Sequence, residues 1–212
     1  MVRGRRLVVG VMGSGGAAHD DLAGPLGRLI AAKGLDLLTG GGGGVMTSVS
    51  RAFVETAGRR GICMGVLPGV PEGSAWHRED SAAASGAGGG AICAPPGYPN
   101  EYVELVVQTH LPTSGMAGQD PMSRNHVNVL TSDAVVALPG GPGTCSECLL
   151  AKRYGKPLLV FLSAEHRIEG LDTGANGVEV AGNIDDVCRW LDLVFPSLSS
   201  DAAGAPPRGS PD

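Results

Sequence analysis

The sequence predicts an α/β fold built on a doubly wound parallel sheet, contained in a single domain over residues 1–196. Three observations lead there. Short apolar runs of strand length recur along the chain, and three of them end at once in a glycine turn. Segments with helical spacing of apolar residues follow those turns, so strand, turn and helix alternate. The length of 212 residues is enough for one such domain with a sizeable core.

Leu7–Met12 reads as a buried strand, followed by Gly13-Ser14-Gly15-Gly16. Asp20 is the expected cap of a helix to Lys33, with Leu22, Leu26, Leu29 and Ile30 on one side and Gly34 as its stop. Asp36–Leu38 is a second strand. Thr39 then leads into Gly40, Gly41, Gly42, Gly43 and Gly44, and Val45–Ala57 continues as a helix. Ile62–Leu67 is a third strand. The rhythm then breaks in an insertion at about residues 72–97, whose Ser81–Gly90 stretch is low in complexity and reads as flexible. Glu101–Thr109 is a fourth strand and Pro121–Leu130 a helix. Pro157–Leu162 is a strand and Asn183–Leu193 a closing helix. The tail over residues 197–212, rich in Ser, Gly, Pro and Asp, is expected to be disordered.

The stretch Ser132–Pro157 organises the rest. Ala134–Leu138 is a strand, Pro139-Gly140-Gly141-Pro142-Gly143 a turn, and Thr144 or Ser146 the expected cap of a helix that Gly155 ends. A glycine turn entering a helix presents free backbone N–H groups at the positive end of the helix dipole, an arrangement that binds phosphate. Glu147, expected in the first helical turn, either complements that dipole or faces the ligand.

Composition narrows the function. Charged residues are 17% of the chain and the net charge is -5, with no Lys/Arg run beyond the short Arg3–Arg6 start, so a nucleic-acid groove is not expected. No apolar stretch reaches membrane-spanning length, and no signal-peptide core stands at the N-terminus. The five cysteines are an odd number scattered through predicted elements, which fits reduced thiols and a cytoplasmic setting. Cys145 and Cys148 form a CxxC without a second ligand pair and are read as packing residues. His77, His110 and His126 lack ligand-like spacing, so no protein-bound metal is expected.

In a parallel sheet, the turns at Gly13, Gly40 and Gly140 gather at the carboxyl ends of the strands. Together they predict one crevice lined with N–H donors and a phosphorylated ligand. Gly13-x-Gly15-x-x-Ala18 superficially fits a dinucleotide fingerprint, but the next strand ends in Leu38-Thr39-Gly40 without the acidic residue a ribose needs. A nicotinamide dehydrogenase is therefore not expected.

Pro139–Glu147 (PGGPGTCSE) resembles the PGGxGTxxE motif of the LOG (LONELY GUY) family, often mislabelled as lysine decarboxylases. Thr39–Met46 resembles that superfamily's second glycine motif and Gly13-Ser14-Gly15 its first, so the likeness covers roughly residues 7–162. It implies a Rossmann-like domain that assembles as a homodimer or homotetramer. It also implies a ligand site formed by Gly13, Ser14, Gly15, Gly40–Gly44, Val45, Met46, Pro139, Gly140, Gly141, Gly143 and Thr144. LOG enzymes are phosphoribohydrolases that release ribose 5-phosphate from nucleoside monophosphates without a cofactor. Arg124 and Glu147 match their catalytic pair, Glu147 to stabilise an oxocarbenium-like state and Arg124 to hold the ligand's anionic part.

Departures from the hydrolase pattern redirect the reading. Met122-Ser123-Arg124-Asn125 stands where Met-His-Glu-Arg-Lys is typical, so one residue is missing and Asn125 replaces a lysine; Thr47 replaces a glycine. The stretch RNHVNVLTSDAVVALPGGPGT looks closer to a sister branch, the molybdenum cofactor carrier proteins. That resemblance implies a bound phosphorylated pterin carrying molybdenum, with Arg124, Asn125 and Glu147 at the ligand, and molybdoenzyme apoproteins as partners. Two alternatives stay open: a LOG-type hydrolase of AMP or cytokinin monophosphates, and a nucleotide-sensing module.

Overall fold

The computed structural model of the protein describes residues 5–70, 94–174 and 178–196. Most of the insertion expected at 72–97, His77 with it, and the whole of the tail expected at 197–212 lie outside the described residues. The described residues form one seven-stranded sheet flanked by five α-helices. In chain order these are β1 (Val8–Met12), α1 (Asp20–Ala32), β2 (Asp36–Thr39), α2 (Val45–Val54), β3 (Cys63–Leu67) and β4 (Leu105–Gln108). After them come α3 (Asn125–Thr131), β5 (Ala134–Ala137), α4 (Pro142–Arg153), β6 (Leu158–Phe161), β7 (Glu179–Ala181) and α5 (Ile184–Val194). The sheet order is β4-β3-β2-β1-β5-β6-β7 and every pairing is parallel. This is a Rossmann-like α/β fold, with the order reversing at β1 and β5.

The central strands are apolar without a break because both of their faces are covered. In β1, Val9 and Val11 pack into the layer formed with α1, α2 and α5, while Val8 and Met12 face the layer of α3 and α4. β5 alternates likewise: Ala134 and Val136 go to the first layer, Val135 and Ala137 to the second. The basic start clamps the amino ends of the sheet. Arg5 pairs with Asp133 at 2.6 Å, and Arg6 Nε donates at 2.6 Å to Asp36, a buried carboxylate that also accepts the Ile62 N–H. No helix among the described residues is long and apolar enough to cross a membrane.

Several boundaries differ from the sequence expectation, each for a local reason. α3 begins at Asn125 rather than Pro121, because Asp120 accepts the N–H of Met122 through its side chain and of Ser123 through its carbonyl. β4 is shorter than Glu101–Thr109, since the Asn100 side chain turns the chain at Tyr102 and Glu104 is drawn aside to Arg59 and the Cys63 N–H. The cap of α1 is His19, left-handed at φ 44, and not Asp20, whose carboxylate serves Ser48 and Arg51 of α2. α2 stops at Val54 rather than Ala57. α4 starts at Pro142, so neither Thr144 nor Ser146 is its cap. β7, a three-residue edge strand, was too short to show a period of its own.

Candidate functional site

The three glycine turns meet at the carboxyl end of the sheet, beyond β1, β2 and β5, and backbone hydrogen bonds tie them together. Ser14 N–H donates to Pro139 O at 3.0 Å, and Val45 N–H donates to Ser14 O at 2.9 Å. Gly44 makes this closure possible: its φ is +62, and a Cβ there would lie 2.3 Å from Ser14 O. Beside the junction lies a crevice of about 380 Å³. That size falls within the range of small-molecule sites, roughly 300–1,000 Å³.

Each turn contributes part of the lining. Gly13, Ser14 and Gly15 come from the first turn, Gly40 and Met46 from the second, and Gly141, Gly143 and Thr144 from the third; Arg124, Asn125 and Glu147 complete the expected set. The other residues expected at the ligand stand behind this surface. Gly41 and Gly42 spend their carbonyls on Asn100, while Gly43, Gly44, Val45 and Pro139 hold the turns together. Gly140 accepts the Glu169 N–H and borders a neighbouring cavity shared with His19, His166 and Arg167. The lining also includes Tyr98, Ser114 and Gly115, none of which was expected from sequence. Their place depends on how the segments after β3 and β4 fold back, which no local pattern encodes. His110 is exposed and outside the lining.

Pro142 occupies the first turn of α4, where its missing N–H costs nothing and its fixed φ suits the helix. The N–H groups of Gly143 and Thr144 follow it, and first-turn donors have no acceptor within their own helix. Both residues line the crevice, with the helix dipole behind them. Because the helix starts at Pro142, Glu147 belongs to its second turn and not its first, so complementing the dipole does not account for it.

Arg124 is 6% exposed and reaches across under the second turn. Its Nη1 donates to Gly40 O at 3.0 Å and to Val66 O at 2.7 Å, its guanidinium lies 5.6 Å from the Tyr98 ring centre, and its Nε has no partner among the described residues. Asn125 donates to Ser146 Oγ at 2.9 Å, and Ser146 donates to Gly143 O, bracing the start of α4. Glu147 accepts from Asn128 Nδ2 at 2.9 Å. Burial pushes its carboxyl above the usual carboxylate range, against the opposing effects of the Arg124 charge and the Asn128 hydrogen bond.

Folding therefore raises this carboxyl above its ordinary value of 4.5. Between the two values the unfolded chain is ionised there and the folded chain is not, so stability falls as pH rises through that window. Glu147→Gln removes the penalty. The variant is expected to melt a few degrees above wild type at pH 7, at about 2–4 °C per kcal/mol for this chain size, with the gain gone near pH 4. Calorimetry at the two pH values checks it.

Cys145 and Cys148 are buried, and burial pushes both thiols up, away from the thiolate a redox pair needs. Among the described residues, no group of three or more His, Cys, Asp or Glu is placed to hold a metal.

Comparison with known proteins adds the following. The model of the SLOG cluster4 family matches residues 6–187. The molybdenum cofactor binding protein of Rippkaea orientalis superposes with a TM-score of 0.63 at 25% identity, over 90% of this chain and 98% of that one. A Moco carrier protein of Chlamydomonas reinhardtii gives a TM-score of 0.63 at 27% identity, over 91% and 99%. An uncharacterised protein of Archaeoglobus fulgidus is 28% identical over 150 residues, 70% of this chain and 75% of that protein.

Proposed function

The chain belongs to the SLOG cluster4 family, and from that premise we propose that it binds and carries a phosphorylated pterin, the molybdenum cofactor, rather than cleaving a nucleotide. The observation that carries this reading is the unpartnered Nε of Arg124, buried in the residue that floors the crevice. Native proteins rarely leave a buried donor without an acceptor. An anionic group brought by the ligand is the natural partner, and the Gly143 and Thr144 N–H groups supply further donors for a phosphate. The Tyr98 ring, with Arg124 over it, adds an aromatic surface to the crevice that suits a heterocycle. The similar proteins of Rippkaea orientalis and Chlamydomonas reinhardtii point to the same ligand.

The hydrolase reading rests on Arg124 and Glu147 lining one crevice. Stabilising a developing cation needs an ionised carboxylate, and the burial of Glu147 works against that. Purification in the absence of oxygen tests the two. Pterin fluorescence after oxidation, with stoichiometric molybdenum and negligible ribose 5-phosphate release from AMP, is the expected result. Robust release by wild type that disappears in Glu147→Gln would overturn it.

Assembly as a homodimer belongs to the same reading. Val129, Leu150 and Ala151 are buried within the protomer, because α3 and α4 press them onto the sheet. Leu130 and Leu149 remain 51% and 39% exposed. A dimer through this face is expected in light scattering at micromolar concentration, and Leu130→Asp with Leu149→Asp should shift it to monomer.

A further inference from the structure

Asn128 lies within α3 with no exposed surface. Its Nδ2 donates to Glu147 Oε1 at 2.9 Å, and its backbone carbonyl accepts from Ser132, yet its Oδ1 has no partner among the described residues. A buried amide oxygen without a donor demands an explanation. The group already bonded to this amide can supply one. A carboxylic acid accepts through one oxygen and donates through the other, the exact complement of a primary amide, so the two close a ring of two hydrogen bonds.

The surroundings favour the acid over the carboxylate. Of the charged groups that bear on Glu147, Arg124 is the cation. Its Nη1 is committed to Gly40 O and Val66 O, its guanidinium lies over Tyr98, and it forms no ion pair with Glu147. On α4 itself the titratable neighbour is the buried Cys148 thiol, which is neutral. Burial of Glu147 disfavours its charge in the same direction.

We propose that in the empty crevice Glu147 is a neutral carboxylic acid held in a reciprocal ring with Asn128, and that this proton sets whether the crevice accepts an anion. Asn128 is then a positioning residue, acting through Glu147. The gating half rests on the reading of a phosphorylated ligand. While the proton is held, the donors of Arg124, Gly143 and Thr144 meet a ligand phosphate without a competing negative charge. When the proton leaves to solvent, a carboxylate stands in the same low-dielectric space and repels that phosphate.

Infrared spectra of the ligand-free protein decide the first half. A protonated-carboxyl C=O band is expected at pH 7 in wild type and absent in Glu147→Gln, which keeps the shape of the side chain. In Asn128→Ala the band should move to the frequency of an unbonded acid; should that variant not fold, the wild-type and Glu147→Gln spectra alone decide. No such band in wild type overturns the proposal. Binding of a pterin monophosphate, followed by fluorescence above pH 7, decides the second half, because the phosphate, with a second pKa near 6, no longer changes charge there. Above the midpoint of the infrared band, affinity should fall toward about tenfold per pH unit in wild type and stay level in Glu147→Gln. Level binding in wild type overturns the gating. A protonated band with no binding at any pH leaves the pair standing and overturns the ligand reading instead.

Discussion

Arg124→Ala is expected to weaken retention of a pterin monophosphate by roughly 10- to 150-fold, the equivalent of about 1.5–3 kcal/mol for a lost hydrogen bond to a charged group. The size follows from what the side chain offers. It is buried, its Nε is unpaired, and it lies in the floor of the crevice, so water screens its contact with an anion weakly. The same guanidinium holds the carbonyls of Gly40 and Val66, so its removal also loosens the second glycine turn from β3. Arg124→Lys separates the two roles. A lysine restores one positive charge but not a planar fork that serves two carbonyls and a ligand together. Equilibrium dialysis with melting curves on both variants checks this. An affinity loss in Arg124→Ala no larger than its loss of stability explains would make the residue structural alone.

Gly27→Val is expected to destabilise the fold by at least about 3 kcal/mol, a fall in melting temperature of roughly 6–12 °C for a chain of this size. Gly27 lies in α1 where it crosses α2, and a Cβ there would stand 2.4 Å from Val49 O and 3.0 Å from Phe53 N. Both are backbone atoms of α2, so the conflict cannot be relieved by turning a side chain. The helices must separate, and Leu26, Ile30, Val49 and Phe53, all fully buried, then lose their contacts. Gly16→Ala is the control, since a Cβ there meets nothing within 4 Å. Thermal denaturation of the two variants distinguishes crowding from a general cost of replacing glycine.

Gly27 also shows a helix that its apolar spacing announces against its propensity. Glycine inside a helix is locally unfavourable, by about 1 kcal/mol relative to alanine, and it weakens any helix prediction from propensity alone. α1 is nevertheless 13 residues long, because the glycine lets it approach α2 closely. At the start of α3 the pattern misleads. Pro121–Leu130 carries apolar residues that suit a helix, but Asp120 holds the preceding chain in turns until Arg124.

By itself the sequence determined the α/β architecture, the parallel sense of the main strands and the gathering of the Gly13, Gly40 and Gly140 turns at one edge. These follow from period, turn chemistry and strand–helix alternation, all of which are local. Resemblance to the LOG family also singled out Arg124 and Glu147. Tertiary structure alone decided what those two side chains touch. Asn128 and Glu147 are 19 residues apart on different helices, and Arg124 reaches main-chain carbonyls 84 and 58 residues away. Tyr98 enters the crevice from beyond the insertion. Contacts of this kind depend on the angle at which each helix packs on the sheet, and that angle is set by the whole core at once, not by any short stretch of residues.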